Sequence, residues 1–288
     1  MNFTMYTNFT GNVKSEGIER AAEIAKSLGF SSVEFIELVK STWVPCVNNA
    51  EEAKKMKQVL DQHGLPVACF SVGATLYVPG MTPETVTDVE KAMYHYAEIA
   101  AALGSPILHH TLIMNDVRAS DLPFSEALRL IVPVAVRIAK YAYSLGVRCI
   151  YEPQGPFFNG TEGFGELYRA VKAQCPWVGV CGDVGNMLFA DTSPVDFFRT
   201  FAKDALHVHI KDYTTCEITP DAPDWSISRG GKAYKDCLVG TGCIDLDTCL
   251  SLLRDAEYKG AFAFENGPIE EYAEGVRAGQ ALIRKHFS

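Results

Sequence analysis

Apolar positions along this chain follow two alternating rhythms. Short runs of apolar, small and β-branched residues read as strands buried on both faces. Between them, apolar residues recur at the spacing of one helix face. The spacing predicts strands at 3–6, 32–38, 67–71, 106–111, 147–152, 177–183, 205–211 and 260–266. It predicts helices at 15–28, 49–63, 84–103, 124–145, near 163–174, near 194–203, 245–257 and 269–286. Ser15 is placed to cap the first of these, and Gly29, Gly64, Gly104 and Gly146 stop the first four. The repeated phrase of helix, glycine and apolar strand is the signature of an αβ connection. Eight such units favour an α/β architecture closed into a (β/α)8 TIM barrel over an open doubly wound sheet.

Four strands end on side chains that favour metals: CIYEP with Glu152, VCGDV with Asp183, LHVHIKD with His209 and FAFEN with Glu265. The gaps are 31, 26 and 56 residues. The first two each fit one strand-helix unit of a barrel of about 250 residues. The third fits one unit plus a long loop. All four would then stand at the C-terminal mouth, where such barrels build active sites. Singly, each has a plainer explanation, because a carboxylate at a strand end often caps the next helix and a strand histidine is often core. Jointly, three acids on one mouth repel unless a cation lies between them. Three carboxylates and one imidazole make a hard, mostly oxygen donor set, suited to a divalent ion in an open cavity.

The chain has 288 residues, 48% of them hydrophobic, and shows no linker-like stretch, so 1–288 is expected to form one barrel domain. Its net charge of −9 disfavours a nucleic-acid substrate, because phosphate binding needs a basic face. No run of residues is apolar for long enough to span a membrane, and the start MNFTMYTNFTG does not read as a secretion signal. Nine cysteines without a C-x-x-C pair are expected to be free thiols in a reducing cytoplasm. The longest irregular stretch is 212–243, with Trp225, Arg229 and Lys232 around a Gly-Gly. A loop of that length inside a compact domain is usually functional.

The segments YEPQG, GDVGNM, HVHIKDY and GTGCIDL…YKGAFAFEN resemble the xylose-isomerase-like barrel superfamily, with its ketose 3-epimerase, hydroxypyruvate isomerase and inosose dehydratase branches. The resemblance runs through the chain in strand order and is strongest at these four segments. It implies that Glu152, Asp183, His209 and Glu265 bind one divalent ion: Mn2+ first, Mg2+ or Co2+ next, and Zn2+ less. It also implies that the two glutamates flank a sugar as proton-transfer groups. The chain departs from the epimerase branch in two ways. Asn186 stands three residues beyond Asp183, where those enzymes tend to have His. The phrase H-I-K-D is closer to the dehydratase and uncharacterised isomerase branches.

The expected reaction is proton abstraction next to the carbonyl of a ketose or keto-polyol, giving an isomerase or epimerase. The alternatives are a lyase on an inosose or 3-keto sugar, and a non-catalytic sugar-binding subunit. The AP-endonuclease branch shares the barrel, but it needs more His ligands and a basic groove than this acidic chain offers. Weaker candidates for sugar contact are His110, chosen over His109 as nearer the mouth, with Lys211, Asn186, Trp43, Arg229, Phe157 and Phe158. His207 is expected to lie one layer deeper, in the core. The expected partner is a small-molecule sugar, with no nucleic acid and no membrane, and a homo-oligomer is possible.

Overall fold

The computed structural model describes residues 1–78, 81–113, 124–155, 158–216, 225–265 and 272–287. Its barrel strands are β1 (Asn2–Met5), β2 (Ser32–Leu38), β3 (Val67–Gly73), β4 (Ile107–His110), β5 (Arg148–Tyr151), β6 (Gly179–Asp183), β7 (Ala205–Ile210) and β11 (Ala261–Phe264). Three further strands, β8 (Tyr213–Cys216), β9 (Ser226–Ile227) and β10 (Ala233–Asp236), lie between β7 and β11 in the chain. The helices are α1 (Thr7–Glu16), α2 (Ile18–Ser27), α3 (Ala50–Gln62), α4 (Pro83–Leu103), α5 (Phe124–Ser144), α6 (Thr161–Lys172), α7 (Pro194–Phe201), α8 (Leu246–Asp255) and α9 (Tyr272–Phe287). The barrel closes in the order β1-β11-β7-β6-β5-β4-β3-β2, so each strand neighbours its predecessor in the ring. All its pairings are parallel. This is a (β/α)8 barrel.

Burial on both strand faces explains the continuous apolar runs. The outward faces pack against the helices in one large core that includes Phe35, Phe70, Tyr151, Val208 and Phe264. A second, smaller cluster is formed by Cys69, Ile107, Ile150 and Cys181, with Leu206 against it. These four belong to β3, β4, β5 and β6, and two residues further along each strand come Ser71, His109, Glu152 and Asp183. Alternation along a strand keeps each such pair on one face. The barrel interior therefore turns from apolar to polar as it approaches the mouth.

Two local expectations change. The predicted helix 15–28 begins only at Ile18, as α2, because Gly17 takes φ 86°, and a helix not expected from the sequence, α1, precedes it over Thr7–Glu16. A positive φ suits glycine and ends a right-handed helix. Ser15 consequently lies inside α1 and donates to the Gly11 carbonyl at 3.0 Å instead of capping. The stretch 212–243 is also less irregular than expected. Its three strands form a small antiparallel sheet in the order β8-β10-β9, while 217–224 lie outside the described residues.

Candidate metal centre

Asp183 ends β6 and His209 lies in β7, opposite each other in register. Glu152 and Glu265 immediately follow β5 and β11. These four side chains each offer a donor atom, and the four atoms lie within 4.8 Å of one another. His209 Nδ1 is 2.8 Å from Glu152 Oε1, 3.0 Å from Glu265 Oε2 and 4.0 Å from Asp183 Oδ2. Glu152, Asp183 and His209 are buried, whereas the Glu265 side chain keeps 25% of its surface exposed.

Lys211 is inward too. Its ammonium lies 2.9 Å from Asp183 Oδ2 and 3.0 Å from Glu265 Oε2. Both oxygens are buried without a hydrogen bond of good geometry, so the contacts with Lys211 are ion pairs. The other Asp183 oxygen accepts from the Gly185 and Asn186 amides at 2.7 and 2.6 Å, which fixes the carboxylate. Asn186 Oδ1 faces Lys211 Nζ at 3.3 Å, while its Nδ2 is buried without a partner.

The electrostatics reflect crowded negative charge. Burial, followed by Glu265 and Glu152, pushes the Asp183 carboxyl up to about 7 against the pull of Lys211. Burial alone would also raise Glu152, but His109 and His209 bring it well below the usual range. For His209, burial favours the neutral ring, yet Cys181, Glu34 and Glu152 hold its pKa well above the ordinary value. Lys211 is raised despite burial, by Asp183 and then Glu265. This donor set fits a hard divalent cation. Asp183 Oδ2 and Glu265 Oε2 lack hydrogen bonds, and the His209 nitrogen facing the acids is Nδ1.

Beneath the centre lies a carboxylate missing from the expected set. Glu34 of β2 is fully buried, 2.7 Å from His207 Nε2 and 3.2 Å from His209 Nε2. Burial would raise its pKa, but His207 and His209 outweigh burial and lower it. His207 is thus a deep interior residue, as its parity implied, but it is paired with an acid. An acid inside the apolar run SVEFIEL was the available signal, because a buried charge needs a partner. Tyr6 was missed as well. Its ring stacks on His209 with centroids 4.5 Å apart, and nothing in the local sequence marks it.

The inward histidine of β4 is His109, not His110. His109 Nδ1 lies 2.8 Å from Ser71 Oγ, and its Nε2 lies 3.4 Å from Glu152 Oε2. His110 packs edge-on against Tyr151, whose hydroxyl donates outward to the Ala135 carbonyl of α5. The parity comes from register, which pairs His109 with the inward Ser71. Burial lowers the His110 pKa to about 4, so its ring is a neutral core group.

The remaining candidates are scattered. Trp43 donates from Nε1 to Glu37 at 2.6 Å, and Lys14 Nζ lies 3.5 Å from its ring centroid, so one face is covered. Arg229 is exposed on a cleft lined by Gly160, Thr161, Asp191 and Asp196, which contains none of Glu152, Asp183, His209 and Glu265. Phe158 is buried against Phe124, and Phe157 lies outside the described residues.

A family model described as xylose isomerase-like TIM barrel matches residues 22–286. The chain belongs to that family. It is 20% identical over 227 residues to an inosose dehydratase of Clostridium botulinum, covering 75% of this chain and 74% of the relative. A D-allulose 3-epimerase from Methylomonas sp. shares the fold at TM-score 0.75 and 14% identity, with 99% and 98% of the two chains covered. A xylose isomerase-like protein from Mycobacterium smegmatis, solved in complex with magnesium, superposes at TM-score 0.70 and 13% identity over 100% and 98% of the chains. A named dehydratase and a named sugar epimerase are thus among the proteins this chain resembles.

Proposed function

We propose that this chain is a divalent-metal-dependent sugar isomerase or epimerase that removes a proton next to the carbonyl of a ketose or keto-polyol. The observation carrying the proposal is the convergence of Glu152, Asp183, His209 and Glu265 within 4.8 Å. A divalent ion held by these four, with Mn2+ favoured and Mg2+ or Co2+ acceptable, would supply the Lewis acidity that acidifies the neighbouring C–H. Glu152 and Glu265 act as the proton-transfer pair. They come from β5 and the end of β11, with β6 and β7 between them in the ring, so they flank the centre from two sides. Asp183 and His209 hold the site between them. Asn186, with its unpartnered Nδ2, and Lys211 are the polar groups positioned for substrate hydroxyls or an oxyanion.

The likeness to an inosose dehydratase favours a second reading, in which proton removal is followed by loss of a β-hydroxyl. We take 1–288 as one domain acting on a small molecule in the cytoplasm, without nucleic acid or membrane. Cys46, Cys69, Cys149, Cys175, Cys181 and Cys249 are buried free thiols, which suits a reducing compartment, and among the described residues no helix is long and apolar enough to cross a membrane.

Incubation with Mn2+ and a panel of ketopentoses, ketohexoses and inososes in D2O is expected to place deuterium next to the carbonyl. The product then distinguishes the reactions: an inverted centre, a moved carbonyl or a lost group. Chelation should abolish turnover and Mn2+ restore it. Full activity after exhaustive chelation would refute the metal-dependent reading.

A further inference from the structure

We propose that Glu34 is a positioning residue that sets the orientation and ring tautomer of His209, and with them the affinity of the centre for a divalent ion. The proposal rests on the reading that Glu152, Asp183, His209 and Glu265 hold such an ion.

Glu34 reaches this position through an irregularity in β2. The register against β3 shifts between Val33 and Glu34, and Glu34 then pairs with Cys69. The side chain therefore enters the barrel beneath the mouth, where it is 0% exposed. Its Oε1 accepts from the Ser71 hydroxyl at 2.5 Å and faces His209 Nε2 at 3.2 Å. Its Oε2 faces His207 Nε2 at 2.7 Å.

An ionised carboxylate only accepts, so a ring nitrogen facing it carries the proton. Glu34 thus keeps the proton on Nε2 of His209, and Nδ1, which faces acids as well, is the nitrogen that would give up its proton and present a lone pair to a bound cation. Nδ1 is the nitrogen facing Glu152, Asp183 and Glu265. Tyr6 fixes the plane of the ring by stacking with centroids 4.5 Å apart. The same oxygen that orients His209 also receives the Ser71 proton, so Ser71 Oγ is free to accept from His109 Nδ1 at 2.8 Å. His109 Nε2 stands 3.4 Å from Glu152 Oε2, and Glu152 Oε1 stands 2.8 Å from His209 Nδ1. The contacts close into a ring of Glu34, Ser71, His109, Glu152 and His209. His209 is thus held from below by a group outside the centre, while His109 faces Glu152 across a longer contact without a hydrogen bond. Partners of this kind commonly tune metal affinity through the ligand they hold.

The test compares Glu34→Ala, Glu34→Gln and His207→Asn with the wild-type protein. The readouts are Mn2+ affinity by calorimetry, thermal stability without added metal, and 15N-histidine spectra of the Mg2+-loaded protein. Glu34→Ala is expected to weaken Mn2+ binding about 10–100-fold and to disturb the Nε2–H signature of His209. Glu34→Gln keeps a carbonyl oxygen for His209 and should weaken binding less. His207 can accommodate the new amide by moving its proton to Nδ1, which has no partner. His207→Asn removes a Glu34 contact and an edge-on ring contact with His209, whose centroid lies 5.3 Å away, but keeps the Glu34–His209 contact, so it should lower stability and weaken Mn2+ binding far less than Glu34→Ala. Wild-type affinity and spectra in both Glu34 variants would overturn the proposal alone. So would a loss of affinity in His207→Asn equal to that in Glu34→Ala. If Glu34→Ala does not fold, unchanged affinity and spectra in Glu34→Gln are decisive against it. Failure of the wild-type protein to bind any divalent ion would instead overturn the underlying metal reading.

Discussion

The two glutamates of the centre have different surroundings. Glu152 is almost enclosed and contacts His209 and His109, whereas Glu265 is partly open and contacts Lys211. In the proposed reaction both take or return a proton, but only Glu265 keeps substantial exposure, at 25% of its side chain. Glu152→Gln and Glu265→Gln keep the shape and one ligand oxygen while removing the base. Each is expected to lower kcat by about 10²-fold or more at saturating Mn2+. Asp183→Asn should act through metal affinity and be partly rescued by excess Mn2+, because Asp183 is fixed by two backbone amides and keeps one oxygen for the centre. Steady-state kinetics across a Mn2+ titration separate the two behaviours. Wild-type kcat in Glu152→Gln would remove its role as a base. At this scale the four candidate ligands could be picked out from their place after apolar strands, and the structure brings them together. Glu34 could not, because its role depends on partners far away in the sequence, at Ser71, His207 and His209.

Among the elements, the excursion after β7 is tied down by one side chain. Asp212 is 1% exposed and accepts from four backbone amides. Oδ1 takes Tyr213 at 2.9 Å and Ile244 at 3.2 Å, and Oδ2 takes Gly240 at 3.0 Å and Gly242 at 2.8 Å. It thus fastens the strand carrying His209 and Lys211 to the turn that starts α8. A Cβ on Gly242 would stand 2.2 Å from Asp212 Oδ1, so this close approach requires glycine. Asp212→Ala leaves the donors without their acceptor and is expected to cost about 3 kcal/mol or more. Gly242→Ala should destabilise through the same contact. Urea unfolding of both variants checks this, and midpoints equal to wild type would show the anchor to be dispensable. Most element boundaries followed from periodicity and glycine stops. The exceptions were helix α1 with the break at Gly17, and the strands of the 212–243 excursion, whose pairing partners lie within a segment without strong apolar alternation.

For the whole molecule, closing the barrel brings three acids and one imidazole from separate strand ends onto one mouth, with Lys211 among them. A cation that binds this arrangement and not the unfolded chain must stabilise the fold. At a hundredfold excess over Kd, a divalent ion is expected to add about 2.7 kcal/mol and raise Tm by several degrees. A calorimetric scan with and without Mn2+ checks this, and no shift at saturating metal would oppose a centre formed by folding. Closure in sequence order was readable from local patterns alone. Strands buried on both faces, separated by helices with glycine stops, have few other ways to satisfy their backbones and apolar faces. The same patterns placed Glu152, Asp183, His209 and Glu265 at the strand ends. Which neighbouring side chain faces inward is a different matter, because it depends on register against the adjacent strand and on bulges such as that at Val33 and Glu34. For that reason only the assembled barrel selected His109 over His110, brought Glu34 beneath His209, and placed Lys211 between Asp183 and Glu265.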